Sequence, residues 1–145
     1  MPNKKKKYLF LVLAILVVIA AMGYYMYNKP AVNVRDADAT KVVAGDLYQA
    51  FIKDSAMAKK EYTNKILEVS GIVKQKTQNQ QKQPLILLDA KVEGAAINCT
   101  LEGPVGEVSN GQTLSLKGIC NGMGEGDADF GIAGDVYLIR CYVVK

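Results

Sequence analysis

Three hydrophobic patterns follow one another along the chain. The first is an unbroken run from Tyr8 to Tyr27, twenty residues without a charge. As a helix this run covers about 30 Å, the thickness of a bilayer's hydrocarbon core, and it predicts a transmembrane helix. The second has helical spacing. Tyr48, Phe51, Ile52, Ser55, Ala58 and Tyr62 fall on one mostly apolar stripe, with Lys53, Lys60 and Glu61 opposite, so an amphipathic helix is expected from about Asp46 to Glu61. After Tyr62 the period becomes two. Leu67, Val69, Gly71 and Val73 alternate with Glu68, Ser70, Ile72 and Lys74, which reads as one long strand over residues 64–77 with a glycine where it can bend. Four shorter strands follow at Leu85–Leu88, Ala95–Leu101, Leu114–Cys120 and Val136–Val144. Five antiparallel-type strands, the first long and kinked, predict a small closed barrel with the helix over one open end.

The charges flanking the first run give it a direction. Lys4–Lys7 stand immediately before it, and basic residues stay on the cytoplasmic side, so the chain beyond Tyr27 is expected outside. A basic stretch followed by an apolar one also describes a cleaved signal peptide, with Val18-Ile19-Ala20 and Ile19-Ala20-Ala21 as passable cleavage sites. The run continues past them, however, and ends in Tyr24, Tyr25 and Tyr27 with Lys29 beyond, the interfacial residues of an anchor. No cysteine follows the run to accept a lipid. The expected organisation is a cytoplasmic tail at 1–7, a transmembrane helix at 8–27, a spacer at 28–40 containing Pro30, and one domain at 41–145. The expected location is the cytoplasmic membrane, single-pass, with the N-terminus inside and the domain in the periplasm or outside.

Split at this boundary, the net charge of +4 loses its meaning as a property of the domain. Lys4–Lys7 and Lys29 precede the exported part, which keeps 13 basic residues against all 14 acidic ones. Its basic residues are scattered, the densest group being Lys74, Lys76 and Lys82, so the clustered cations that displace counterions from nucleic acid are missing. The chain has no histidine, no Gly-x-Ser-x-Gly elbow, no phosphate-binding loop and no dinucleotide fingerprint. Cys99, Cys120 and Cys141 lack zinc-site spacing. A catalytic function and a bound cofactor are therefore not expected.

The stretches Tyr62–Val73, Ile97-Asn98-Cys99, Lys117–Gly122 and Asp135–Cys141 resemble the tRNA_anti-like family of bacterial OB-fold proteins. The likeness covers roughly Val42 to Cys141. It implies a mainly β fold, a five-stranded OB-fold barrel preceded by one amphipathic helix and standing behind an N-terminal transmembrane helix. The family name derives from anticodon-binding OB domains and implies no tRNA substrate.

Between Cys120 and Cys141 this chain departs from the family's look, with a glycine-rich acidic segment at Gly122–Gly131 expected as the loop joining strands four and five. Glu125, Asp127 and Asp129 there repel phosphates. They do not make an EF-hand either, since Ile132 and Leu138 stand where the glycine and the bidentate glutamate belong. In an oxidising compartment the three cysteines allow three single-bridge pairings. The hairpin relation together with the resemblance favours Cys120–Cys141 and leaves Cys99 as a core residue on the Ile97–Leu101 face.

Two functions are carried forward. The leading one is a membrane-held binding or interaction module for a protein, peptide or glycan of the cell envelope. The alternative is an OB-fold nucleic-acid binder, for which Lys74, Lys76, Asn98, Thr100 and Lys117 are the ligand-face candidates. Nucleic acid is disfavoured by the near-neutral domain and by the want of an aromatic platform, since Phe51 and Tyr62 belong to the helix and Phe130 to the acidic loop.

Overall fold

The computed structural model describes residues 4–30, 32–127 and 129–144, in two compact units, Met1–Val32 and Asn33–Lys145. The first unit is helix α1, Lys4–Tyr27. Its 24 residues have a mean hydropathy of 2.5 over the most apolar window, and the helix is long and apolar enough to cross a membrane. Lys29 lies over the Tyr25 ring, 5.8 Å from its centroid, a cation held against an aromatic face just past the helix end.

The second unit begins earlier than the pattern indicated. Residues 33–39, read above as part of a spacer, fold onto the barrel: Val34 is buried, and Asn33 opens a turn by accepting backbone bonds from Asp36 and Ala37. Strand β1 (Thr40–Val43) follows and pairs in parallel with Leu67–Ser70, an addition that its four residues are too few to reveal by alternation. The expected single helix is two, α2 (Ala44–Lys53) and α3 (Ser55–Tyr62). Asp54 breaks it. Its backbone is extended, and its carboxylate accepts the Met57 N–H at 3.0 Å, capping α3. The stripe survives the break only in part, with Phe51 and Ala58 buried, Ile52 and Ser55 exposed, and the Phe51 and Tyr62 rings 6.3 Å apart between the helices.

The barrel strands are β2 (Ile66–Gln78), β3 (Pro84–Asp89), β4 (Ala96–Leu101), β5 (Thr113–Met123) and β6 (Val136–Val143). They close in the order β2-β3-β4-β6-β5 and back to β2, with β4 and β6 parallel and the other barrel pairs antiparallel. The 13 residues of β2 make closure possible, because its first half pairs with β5 and its second half with β3. The inward series is the one that the alternation marks, Leu67, Val69 and Val73 on β2 and Leu114, Leu116 and Cys120 on β5 among them.

Two glycines in these series hold places for neighbours. A Cβ on Gly71 would meet the Ala44 Cβ at 2.8 Å, so the missing side chain is where α2 enters the core. A Cβ on Gly118 would collide with the Cys141 thiol. Leu47, Tyr48 and Phe51 carry the buried face of α2 into the core. The buried Tyr48 ring sends its hydroxyl to the Gly134 carbonyl at 2.9 Å, tying α2 to the β5–β6 connection.

Candidate functional site

An OB barrel presents ligands to the outer face of its second and third strands, between the loop joining the first two strands and the loop joining the last two. Here that face is β3 and β4, and its residues follow from register. Gln75, Leu87, Asn98 and Tyr137 are successive cross-strand partners over β2, β3, β4 and β6, forming one outward row. Thr77, Leu85 and Thr100 make a second row beside it. The two rows hold amides, hydroxyls, leucines and one tyrosine, and no charge.

Both flanking loops are structured. In the β2–β3 turn the Asn79 side-chain carbonyl accepts the N–H groups of Gln81 and Gln83 at 3.0 and 2.9 Å. The acidic β5–β6 segment is a hairpin, with Asp127 and Ile132 exchanging two backbone bonds of 2.8 Å. The Asp127 carboxylate turns back onto the Asp129 and Phe130 N–H groups, and the Asp135 carboxylate accepts the Ala96 N–H at 2.9 Å. Asp127 thus serves the loop's own backbone, and Asp135 ties the loop to the start of β4.

The five ligand-face candidates do not share one surface. Asn98 and Thr100 lie on the β3–β4 face. Lys74 occupies a register shift between Val73 and Gln75 that reverses the alternation after it. As a result Lys76 pairs with the inward-facing Ile86 and projects from the other side of the ribbon. Lys117 is on β5, between Glu68 and Tyr142, on a different wall of the barrel. Tyr137 is the face residue that sequence reasoning missed. Its place between inward-facing Val136 and Leu138 was the available signal, and it supplies the aromatic surface that the sequence reading lacked.

A second polar cluster surrounds Lys117. Arg35 lies over the Tyr142 ring, its guanidinium carbon 4.9 Å from the centroid, and Lys117 Nζ donates to the Arg35 carbonyl at 3.1 Å. Glu102 accepts from the Tyr142 hydroxyl at 2.8 Å and from Arg140 Nε at 3.1 Å. These two donors, the tyrosine foremost, hold the Glu102 carboxyl below the usual carboxylate range, and the same bond raises the Tyr142 phenol. Arg35 and Tyr142 separate two clefts of about 440 and 430 Å³.

Cys99, Cys120 and Cys141 are all buried and unbridged. The Cys120–Cys141 bridge expected above is not formed, and register gives the reason. Cys120 stands opposite Leu138, while Cys141 lies beyond a register shift, level with Leu101. The Cys99 thiol donates to the Ile97 carbonyl at 3.9 Å, and the neighbouring Cys141 thiol together with burial pushes it well up. Burial raises the Cys120 thiol as well. Groups held as neutral thiols in this way are poor nucleophiles. Among the described residues, no three His, Cys, Asp or Glu side chains gather as a metal site would need.

The tRNA_anti-like family model matches residues 1–128. No curated protein matches the sequence. Among solved structures, a protein provisionally assigned as an aspartyl-tRNA synthetase from Leishmania major aligns with 87% of this chain at 9% identity and a TM-score of 0.45; the chain spans 25% of its length. A lipoprotein of Klebsiella pneumoniae, provisionally described as nucleic acid-binding, aligns with 81% of this chain over its whole length, at 17% identity and a TM-score of 0.47.

Proposed function

The chain belongs to the tRNA_anti-like family, and from that premise we propose that it is a membrane-anchored, extracytoplasmic, non-catalytic binding module whose β3–β4 face takes an uncharged, extended glycan of the cell envelope. The observation that carries this is the row Gln75, Leu87, Asn98 and Tyr137. A sugar ring has an apolar face for Tyr137 and Leu87 and hydroxyls for the amides and for Thr77 and Thr100, and it brings no charge that would need a counter-ion. Lys4–Lys7 at the start of α1 support the outward placement of the domain.

Calorimetry of the full chain in nanodiscs against envelope glycan fragments tests the reading. Saturable binding is expected, weakened about three- to tenfold by Tyr137→Ala, the weight of one aromatic contact. Binding that is indifferent to Tyr137→Ala and Asn98→Ala sinks it. The exposed Tyr137 also favours a second reading, since an aromatic ring stacks a nucleobase as well as a sugar. Single-stranded oligonucleotides are expected to bind no tighter than the nonspecific range of about 10⁻⁴ M at physiological salt, and micromolar binding with a steep salt slope establishes the second reading instead.

A further inference from the structure

Arg35 is spent on no acid. Among the described residues the one ion pair is Arg140 with Glu102, and the Arg35 guanidinium has a stacking partner, Tyr142, but no hydrogen-bond acceptor. Lys117 Nζ stands beside it, bound to the Arg35 carbonyl and making no ion pair with Glu68, its register partner. These two cations, Glu68 and the Tyr142 ring line the 430 Å³ cleft, which therefore carries one net positive charge. The 440 Å³ cleft across Arg35 and Tyr142 is walled mainly by apolar groups, including Leu101, Pro104, Val105 and Val108, with Glu107 its one acid. A cationic recess and an apolar recess sharing one wall fit a molecule that is anionic at one point and greasy beside it.

We propose that this double cleft is a second binding site, for the phosphate headgroup and adjoining chain of an anionic phospholipid. Free phosphate would satisfy the cations and leave the apolar recess unused. Arg35 follows Tyr27 by eight residues, so in an anchored protein headgroup phosphates are the anions offered to it at the highest effective concentration. The site rests on the anchoring in the reading above and is independent of the glycan face.

Photo-cross-linking decides it. The full chain is placed in nanodiscs doped with phosphatidylglycerol carrying a photoreactive headgroup, or with the matching phosphatidylcholine probe, and the labelled peptides are mapped. Labelling is expected on the β6 peptide around Tyr142 and Val143 with the phosphatidylglycerol probe, falling about fivefold in Arg35→Gln and separately in Lys117→Gln. Equal labelling by the phosphatidylcholine probe, or full labelling in both variants, overturns the proposal. Displacement of the label by added inorganic phosphate overturns the lipid in favour of a free anion. Labels near Tyr27 report the anchor on their own: present without the β6 label, they show that the cleft fails while anchoring holds; absent together with it, they show that the anchor itself fails.

Discussion

Glu102 accepts a hydroxyl and a guanidinium at once, and both bonds favour its charged form. Its folded pKa lies below its unfolded one, so its stabilising contribution is complete above the ordinary glutamate value of about 4.3 and disappears as the pH falls through the lower folded value. The group is exposed, so its weight is small, and the clean measurement is the carboxyl carbon shift on acid titration, with a midpoint expected below that of free glutamate. Tyr142→Phe should return the midpoint toward it; an unchanged midpoint contradicts the arrangement. At the cysteines the expectation is three buried free thiols, shielded from alkylating agents in the native protein. Thiol counting on unfolded, never-reduced protein should return three. A count of one means a bridge, and peptide mapping then separates the contacting pair Cys99–Cys141 from the Cys120–Cys141 pair that chain order favours.

Where two elements meet, single atoms decide the packing. Ala44 starts α2 against the space left by Gly71, with the Leu88 Cβ 3.3 Å from the position of an added Cβ. Gly71→Ala should therefore push the helix and the strand apart, at about 1–3 kcal/mol for overpacking a core, and thermal melts should show a loss of several degrees. A neutral result would mean that α2 is not seated there. The amphipathic stripe made the helical segment legible, but not its break, since the stripe runs through Asp54 without interruption. Capping depends on the Asp54 carboxylate reaching one N–H, which periodicity does not register. The barrel strands were legible from alternation because each has one face in the core. β1 was not, being short and mostly exposed on both faces.

For the whole molecule the decisive question is whether the chain remains anchored. Intact-mass analysis of membrane-extracted protein is expected to find the N-terminal segment retained, and a mature form starting near Ala21 or Met22 contradicts this. The sequence by itself determined the apolar helix, the charge imbalance across it, the near-neutral domain and the places of the barrel strands along the chain. Each of these depends on residues close together in the chain, where hydropathy and period are readable. Which outward residues share a surface was decided only by the tertiary structure. One extra residue at Lys74 turns Lys76 away from Asn98 and Thr100. Pairing with β4 brings Tyr137 beside Asn98 across 39 residues, and the fold of residues 33–39 sets Arg35 on Tyr142, more than a hundred residues away. Alternation marks inside from outside along each strand, but register, bulges and barrel closure assign neighbours, and these are set by packing between segments that no local pattern connects.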